Sequence, residues 1–371
     1  MSEGRISLNE IKRNIKERRA RWTAARTSVS ELSKEEQEKK CGLIPANREL
    51  QAITRKGLDK ETSSRFLESK PSGFKSRFKE LPERIDWTDI DGVDWTTPVK
   101  DQGQCGSCVA FGTLGALETL LKIRCYKDDD KDLDFSEAHL LWCGGGSCDG
   151  WHMDDACSYL EENGVPDEAC FPYRDVPMGC RDTCPEWKKW IGDSKIEGWS
   201  STKDVEVMKE KLVNNGPQVT GMAVYEDFFS YRSGVYQHIT GELAGYHCVT
   251  VVGFDDDDEC WICKNSWGTS WGEDGFFKIA YGECGVDDVF GMWDIKVKMA
   301  TEADEYKAEK IAVDYSFASS ECVLWAYADG KWRYKNLNDP DISGIVNVVM
   351  SSSEVFVRCS GDEIVFIKCM K

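Results

Sequence analysis

The sequence predicts an α+β protein, and the order of its segments supports this class. Segments with helical patterns occupy the chain up to residue 214, whereas β-branched and aromatic runs dominate after Pro217. A second group of short alternating segments follows residue 300. Helices that come first and strands that come later are typical of α+β folds, so we expect separate helical and β-rich parts.

The composition is that of a globular protein. The chain has 371 residues, of which 41% are hydrophobic, enough for two or three domains with sizeable cores. No run approaches the roughly 18 to 20 apolar residues of a membrane span, and the N-terminal residues are too polar for a signal peptide. Either the protein stays inside the cell or a leader has been removed. Seventeen cysteines favour an oxidising compartment, so we expect a secreted or lumenal protein.

The charge is unevenly distributed along the chain. The net charge is −19, but residues 1–80 carry a balance of +8 and residues 81–371 a balance of −27. The two parts should therefore attract each other. A body this acidic repels nucleic acid and anionic membranes, so neither is an expected partner.

The first eighty residues predict a charged, helical segment. Residues 6–22 form one helix candidate, and Ser33 precedes two glutamates in the manner of a second helix's N-cap. Residues 69–78 contain Pro, Gly and Ser and have the composition of a linker. We therefore place a domain boundary near Leu81.

The middle of the chain predicts helices followed by strands. The run that starts at Cys108 is apolar on nearly every side, which favours a helix buried inside a domain. The other predicted elements are helices at 136–142, 153–163 and 203–214, and strands within 218–225, 248–254, 259–267 and 275–281.

The last part of the chain predicts a small all-β module. Alternating hydrophobicity marks ECVLWAYA, KWRYK, GIVNVVM, EVFVRCS and EIVFIKC, with turns at Asp329-Gly330 and Gly361-Asp362. We assign residues 299–371 to this module. It contains no recognisable catalytic set, so we expect a role in stability or docking.

Cys108 is the first candidate for chemistry. It follows a glycine-bearing loop and starts a long helix, where free N–H groups and the helix dipole favour a thiolate. A nearby imidazolium would lower the thiol pKa further and produce a nucleophile. Among the four histidines, His247 lies at the start of an apolar strand, a rigid position for a general base. Asn265, beside two tryptophans, can hold the second ring nitrogen of such a base.

Three blocks carry a resemblance to a known family. QGQCGSCVAF, GYHCVTVVGF and KNSWGTSWGEDGFFKI resemble the active-site blocks of papain and the cathepsins, in the same order. The resemblance covers residues 81–298 and implies a two-lobed fold with a helical lobe and a β-barrel-like lobe. It implies a cysteine endopeptidase with Cys108 as nucleophile, His247 as base and Asn265 as the residue that orients the base.

The resemblance also implies roles for neighbouring residues. Gln102 matches the glutamine that forms the oxyanion hole with the backbone N–H of Cys108. Trp267 matches the tryptophan that shields the His and Asn pair, and Trp271 matches the next residue along that wall. The sequence departs from the family at Val109, where a tryptophan usually follows the nucleophile.

The substrate cleft can be read from the same resemblance. Gly150 would hydrogen-bond the substrate backbone, and Met153 would line the pocket for the second residue before the cut. Gly221 and Val289 match the base and the end of that pocket, although simple packing roles for Met153 and Val289 are equally compatible. No acid falls at the pocket end, so an apolar residue is the expected preference, despite two aspartates nearby at 287 and 288.

Several cysteines match the family's disulfides. Cys105 with Cys148 and Cys143 with Cys180 resemble its two bridges in the helical lobe. Cys170 with Cys184 is a third candidate pair, and Cys359 with Cys369 is a candidate staple of the last hairpin. Connectivity does not follow from sequence alone.

Three other hypotheses compete with an active peptidase. Cys105 and Cys108 form a C-x-x-C, which is also a pattern of dithiol redox centres. A zinc site made by these two with Cys260 and Cys263 is disfavoured, because strand alternation sends the last two to opposite faces. A catalytically inactive, binding-only homologue is the third hypothesis, because of Val109.

The resemblance to family zymogens implies that residues 1–80 are an inhibitory propeptide, removed near Leu81, ahead of a catalytic domain at 81–298. The cathepsin that trims C-termini carries a histidine pair on an inserted loop. None of the four histidines here is available as such a pair, so an endopeptidase is favoured. We expect protein and peptide substrates, no cofactor, no metal, no membrane span, and a monomer.

Overall fold

The computed structural model describes residues 6–58, 81–90, 92–125, 133–189, 191 and 194–297, and strands between residues 306 and 370. It divides into two compact units, Met1–Val297 and Lys298–Lys371. The first combines helices with a mixed sheet, which confirms the predicted α+β class. Within the described residues, none of the helices has the length and apolar character needed to cross a membrane.

The N-terminal residues form three helices and a strand. These are α1 (Leu8–Arg18), β1 (Trp22–Ala24), α2 (Lys34–Glu38) and α3 (Asn47–Lys56). Ser33 caps α2 in a complete capping box with Glu36, as its sequence predicts. Neither β1 nor α3 was predicted. Residues 69–78, the predicted linker, lie outside the described residues.

The helical lobe is built around one buried helix. Its elements are α4 (Cys108–Cys125), α5 (Glu137–Gly144) and α6 (Met153–Glu162), and β2 (Arg84–Asp86) precedes them. The α4 side chains from Cys108 to Leu121 are almost all buried, which agrees with the nearly uniform apolar sequence of the helix. Disulfides join Cys105 to Cys148, Cys143 to Cys180 and Cys170 to Cys184, so three of the four predicted pairs are confirmed.

The β lobe follows, with a single sheet and a core of aromatic rings. Its elements are β3 (Ile196–Thr202), α7 (Val205–Asn214), β4 (Gln218–Tyr225), β5 (Tyr231–Tyr236), β6 (Leu243–Asp255), β7 (Cys260–Lys264), β8 (Phe276–Ala280) and β9 (Met292–Val297). The strand order is β1-β5-β8-β7-β6-β4-β9-β3, and β2 pairs with β6. The N-terminal strand β1 thus forms one edge of this sheet, and the long β6 carries His247 through its middle.

The C-terminal unit is described by its strands alone. These are β10 (Tyr306–Lys307), β11 (Lys310–Ser316), β12 (Glu321–Ala328), β13 (Lys331–Leu337), β14 (Glu354–Ser360) and β15 (Glu363–Met370), in the order β10-β14-β15-β13-β12-β11. The predicted strand GIVNVVM and both predicted turns lie outside the described residues.

The register of the last hairpin bears on the predicted Cys359–Cys369 staple. Cys359 pairs with Ile364 and Cys369 pairs with Val355, so the two cysteines are five residues out of register along β15. At about 3.3 Å per residue, this is roughly 16 Å. A disulfide needs Cα atoms within about 7 Å, so this register does not permit the staple.

Candidate active site

Cys108 is the first residue of α4, where the backbone N–H groups of the helix have no partner within the helix. Its side chain is completely buried. Burial raises the pKa of the thiol to about 11, although backbone N–H groups, including those of Cys248 and Gly42, favour the thiolate. The closed site therefore favours the neutral thiol of Cys108, and the backbone N–H groups only partly offset the effect of burial.

His247 and Asn265 meet directly across neighbouring strands. His247 lies in β6, Asn265 immediately follows β7, and His247 Nε2 is 2.7 Å from Asn265 Oδ1. Oδ1 also accepts a hydrogen bond from the Ser266 N–H at 2.8 Å. Since an amide oxygen can only accept, Nε2 carries the proton and Nδ1 is left as the basic nitrogen. Burial lowers the pKa of His247 to about 4, and the bond with Asn265 opposes this shift.

Gln102 is fixed with one N–H directed into the cleft. Its Oε1 accepts from Ser266 Oγ at 2.7 Å, and its Nε2 donates to the Cys105 carbonyl at 2.8 Å. The second Nε2 hydrogen is directed at the carbonyl oxygen of Lys40, at 3.3 Å. Gln102 therefore presents a positioned donor to a carbonyl oxygen, as an oxyanion hole requires.

Two tryptophans cover the His247–Asn265 pair. The Trp267 ring lies 4.8 Å from the His247 ring, and Trp271 lies 4.9 Å from Trp267, edge to face. Both are buried. They keep the hydrogen bond in a low-dielectric setting, where it is stronger than in water. Val109, where the family usually has tryptophan, is buried in the core of the helical lobe.

A short N-terminal segment, Lys40–Ile44, crosses the cleft. The Trp151 N–H donates to the Gly42 carbonyl at 2.8 Å, and the Ile44 N–H donates to the Trp151 carbonyl at 2.9 Å. On the opposite wall, the Leu43 N–H donates to the Tyr246 carbonyl at 3.0 Å. Leu43 and Trp151 pair in parallel. The segment is thus bound by its backbone to both lobes, directly over the candidate nucleophile.

The close approach of this segment depends on a glycine. A Cβ atom on Gly42 would lie 1.9 Å from the Gly106 carbonyl oxygen, which belongs to the backbone and cannot easily move. The backbone at Gly42 therefore lies so close to the loop before Cys108 that a residue with a side chain would not fit there. No sequence pattern indicates this contact.

The backbone groups that hold the segment come from Trp151 and not from Gly150. Gly150 exchanges its backbone hydrogen bonds with Ser147 inside the same turn. His152 adds a contact that the sequence analysis missed, since its Nδ1 lies 2.8 Å from the Ile44 carbonyl oxygen. The sequence pointed to Trp151 and His152 only through their position directly after Gly150.

The predicted pocket for the second substrate residue is occupied by Leu43. A Cβ atom on Gly221 would lie 2.5 Å from Leu43 Cδ2 and 2.7 Å from Phe290 Cδ1. Met153 and Val289 belong to the same buried apolar cluster. Phe290, which the sequence analysis did not name, lies against Gly221 next to Leu43.

The two aspartates near this pocket have other partners. Asp287 accepts hydrogen bonds from the Trp261 indole at 3.0 Å and from the Gly282 N–H. Asp288 forms an ion pair with Lys56 of α3. Both carboxylates therefore already have polar partners of their own.

Ion pairs connect the basic N-terminal residues to the acidic body. Each joins a lysine or arginine of residues 1–80 to a carboxylate of the body: Lys34 to Glu242 at 3.2 Å, Lys40 to Asp101 at 2.9 Å, Arg48 to Asp154 at 3.4 Å, and Lys56 to Asp288. Of the four cations, only the Lys40 side chain is almost fully buried, at 4% exposure. The predicted charge complementarity thus corresponds to specific contacts.

Two of the competing hypotheses are incompatible with this geometry. Cys105 is bonded to Cys148, so it is not available as the redox partner of Cys108 or as a zinc ligand. Cys260 and Cys263 lie in different buried clusters, on opposite faces of β7. In the part of the chain that the structure describes, the one group with metal-ligand spacing is His139, Cys143 and Cys180, and its two cysteines form a disulfide.

The helical lobe, the β lobe and the cysteine at the start of the buried helix define the class of this protein as a papain-like thiol peptidase. The sequence profile described as "Papain family cysteine protease" matches residues 81–291, more than half of the chain. The chain therefore belongs to the papain family of cysteine proteases.

Individual relatives agree with this assignment. "Cathepsin B-like CP3" of Giardia intestinalis is 37% identical over 204 residues, covering 51% of this chain and 67% of that protein. Among solved structures, "proCathepsin B S9 from Trypanosoma congolense" aligns with a TM-score of 0.59 and 25% identity, over 79% of this chain and 99% of its own. Procathepsin L 3 of Tenebrio molitor aligns with a TM-score of 0.58 and 25% identity, over 78% and 87%. Both of these structures are proforms, and their coverage exceeds the part that the profile matches.

Proposed function

We propose that this chain is the precursor of a cysteine endopeptidase that acts through Cys108, His247 and Asn265. The Cys108 thiolate attacks the scissile carbonyl, and His247 Nδ1 accepts the thiol proton and delivers it to the leaving amine. Asn265 holds the imidazole through Nε2, so that the basic nitrogen faces the reacting atoms. Once the Lys40 carbonyl has left, Gln102 donates the Nε2 hydrogen that faced it to the oxygen that becomes negative in the transition state.

In this proposal, residues 1–80 keep the precursor inactive. The observation that carries it is the course of Lys40–Ile44 across the cleft, with hydrogen bonds to Trp151 and Tyr246 and a carbonyl on Gln102. Because these groups bind the segment, a substrate cannot reach them. Removal of the segment near Leu81 would open the cleft of the catalytic domain, residues 81–298, while residues 299–371 form an accessory module.

The histidines favour an endopeptidase over an enzyme that trims chain ends. His139 packs against Trp187 at a ring distance of 4.4 Å, and His238 lies 3.1 Å from Asp227 inside the β lobe. The described contacts pair neither ring with another histidine, and His152 Nδ1 lies beside the Ile44 carbonyl oxygen. The three disulfides also favour a secreted or lumenal enzyme, where such bonds persist.

Peptide hydrolysis by the processed protein tests the proposed mechanism. Cys108→Ala should abolish hydrolysis, because the nucleophile is lost. The matched control is Cys284→Ala, which removes another buried free thiol far along the chain, in the β lobe. Hydrolysis that persists in Cys108→Ala, with a normal circular dichroism spectrum, would refute the assignment of the nucleophile and favour a binding-only homologue.

A further inference from the structure

The two donors of the proposed oxyanion hole lie at the two ends of one loop. One donor is the Gln102 side chain, and the other is the backbone N–H of Cys108, six residues further on. Two glycines, Gly103 and Gly106, lie between them, and Gly103 has a φ of +60°. An oxyanion hole requires both donors within hydrogen-bond distance of the same oxygen atom. A contact that joins the two ends of this loop would therefore fix the spacing of the donors.

The hydroxyl group of Tyr173 makes such a contact. Its Oη donates a hydrogen bond to the Gln102 carbonyl oxygen at 2.8 Å and lies 2.6 Å from Ser107 Oγ. Because a phenol has a single proton, which the carbonyl oxygen takes, Oη accepts the hydrogen of Ser107 Oγ. Ser107 directly precedes Cys108, and its carbonyl group shares a peptide unit with the second donor. One hydroxyl oxygen therefore links the residues that carry or adjoin the two donors.

Ser107 also connects this contact to the start of α4. The Ser107 carbonyl oxygen accepts hydrogen bonds from the N–H groups of Ala110 at 2.9 Å and Phe111 at 3.3 Å. The Ser107 and Gln102 side chains are completely buried. A shift of Ser107 would therefore move both the first turn of the helix and the N–H of Cys108.

Tyr173 is itself held by several neighbours. Its ring packs edge to face on Phe111, with the ring centres 4.8 Å apart, and its N–H donates to Glu168 Oε1 at 2.6 Å. Burial raises the pKa of the Tyr173 hydroxyl, so this group stays protonated and can donate. Two residues along the chain, Asp175 Oδ2 accepts from the Gln104 N–H at 2.9 Å. The segment that carries Tyr173 and Asp175 therefore holds the donor loop at more than one point.

We propose that Tyr173 is a positioning residue for peptide hydrolysis, whose hydroxyl sets the distance between Gln102 Nε2 and the Cys108 N–H. This inference rests on the proposed function, because it takes these two groups as the oxyanion donors. The described hydrogen bonds of Tyr173 Oη go to Gln102 and Ser107, so Tyr173 acts through them. Positioning of this kind matters, because a misplacement of about 1 Å can cost about a hundredfold in rate.

A simple packing role for the Tyr173 ring is the alternative, and Tyr173→Phe separates the two roles. The substitution keeps the ring on Phe111 and removes only the hydroxyl group. Ser107 Oγ retains a possible acceptor in the Cys105 carbonyl oxygen, 3.3 Å away, so its buried hydroxyl keeps a partner. The variant should therefore fold, with a circular dichroism spectrum like that of the wild type.

Steady-state kinetics of the processed enzyme test the proposal. Tyr173→Phe should lower kcat about tenfold and change KM by less than about twofold, because the donors act mainly on the transition state. Ser107→Ala removes the other half of the contact and should cause a similar loss. The matched control is Tyr281→Phe, which removes a hydroxyl bound to Asp256 at 2.7 Å in the β lobe and should leave both constants unchanged.

Two further measurements distinguish positioning from a general weakening of the site. Iodoacetamide labelling of Cys108 forms no oxyanion, so Tyr173→Phe should be labelled at the wild-type rate. In a Gln102→Ala background, Tyr173→Phe should lower kcat by less than about threefold, because both substitutions affect the same oxygen. A full tenfold loss in that background, a slower labelling of Cys108, or an unchanged kcat in both Tyr173→Phe and Ser107→Ala would overturn the positioning role.

The proposed function fails by a different result. If Gln102→Ala leaves kcat unchanged, Gln102 is not the oxyanion donor and the proposed mechanism is wrong at that step. If Gln102→Ala lowers kcat by about 10² to 10³ while Tyr173→Phe and Ser107→Ala match the wild type, only the positioning role of Tyr173 is excluded.

Discussion

At the scale of single residues, hydrogen bonds fix the orientations of the polar side chains at the site. Gln102 is bound through Oε1 to Ser266 and through Nε2 to Cys105, so only one N–H remains for the cleft. Asn265 Oδ1 accepts from both His247 and Ser266, which fixes the tautomer of the imidazole. Ser266 therefore orients both Asn265 and Gln102, a role that its place in the sequence did not indicate.

Replacing Gln102 tests its proposed role as the oxyanion donor. Gln102→Ala should lower kcat of the processed enzyme by about 10² to 10³ and change KM little, because the donor acts mainly on the transition state. Asn265→Ala should have a milder effect, since Trp267 still packs against the His247 ring. Steady-state kinetics decide this, and a Gln102 variant with unchanged kcat would remove the residue from the oxyanion hole.

At the scale of elements, sequence patterns predicted the helices and strands of the catalytic domain better than those of the N-terminal residues that cover it. Strand β4 is buried along its whole length, α4 is buried from Cys108 to Leu121, and β6 is buried from His247 to Phe254, so their apolar patterns were unambiguous. Strand β1 has only three residues, and its pairing with β5 depends on a contact 210 residues away that no local pattern encodes. Helix α3 carried usable signals that were overlooked, namely Glu49 near its start and Gly57 in a left-handed conformation after its end.

The covering segment can be released by one substitution. Gly42→Ala should increase the basal activity of the full-length protein, because its Cβ would collide with the Gly106 carbonyl at 1.9 Å. A steric cost of about 1 to 3 kcal/mol corresponds to about 5- to 150-fold in the open population. Asn9→Ala, exposed on α1, is the control and should leave the basal rate unchanged. Equal basal rates in Gly42→Ala and wild type would mean that this passage does not close the cleft.

Leu43 fills the predicted pocket, so it predicts which substrate residue the processed enzyme prefers two positions before the cut. Leu43 lies against Gly221 and Phe290, so peptides with Leu two positions before the cut should be hydrolysed best. Gly221→Ala should reduce kcat/KM for such peptides by about tenfold or more, since its Cβ would lie 2.5 Å from the leucine Cδ2 position. Peptides with Ala at that position serve as the control and should be affected less. A dominant preference for Arg there would show that Asp287 or Asp288 leaves its present partner.

At the scale of the whole molecule, closure joins a basic segment of balance +8 to a body of balance −27. The exposed ion pairs are individually weak, and salt screens them. Lys40 differs, because it is almost fully buried and pairs with Asp101, one residue before Gln102. The ion pairs therefore add to the backbone hydrogen bonds that hold the N-terminal segment at the cleft, and they do not replace them.

Acid and salt should both promote release of the propeptide. Acid protonates carboxylates of the body while Lys and Arg keep their charge, so the attraction decreases. Full-length Cys108→Ala, incubated with a little active enzyme, should lose about its first eighty residues faster at pH 4 than at pH 7, as followed by mass spectrometry. At pH 7, added salt should also accelerate this loss. Processing that is equally fast under all three conditions would exclude charge as a component of the closure.

The pH dependence of Cys108 labelling, before and after residues 1–80 are removed, tests most directly whether these residues keep the thiol inactive. In the closed form, burial raises the pKa of Cys108 to about 11 and lowers that of His247 to about 4, so thiolate is scarce at neutral pH. Opening the cleft admits water, which favours both charged forms and allows imidazolium to stabilise thiolate. At pH 7, iodoacetamide should label Cys108 at least about tenfold faster in the processed protein, which corresponds to about 1.4 kcal/mol. The full-length protein should react appreciably only at alkaline pH. Identical pH profiles for the two forms, with Cys108 equally reactive at pH 7, would contradict this prediction.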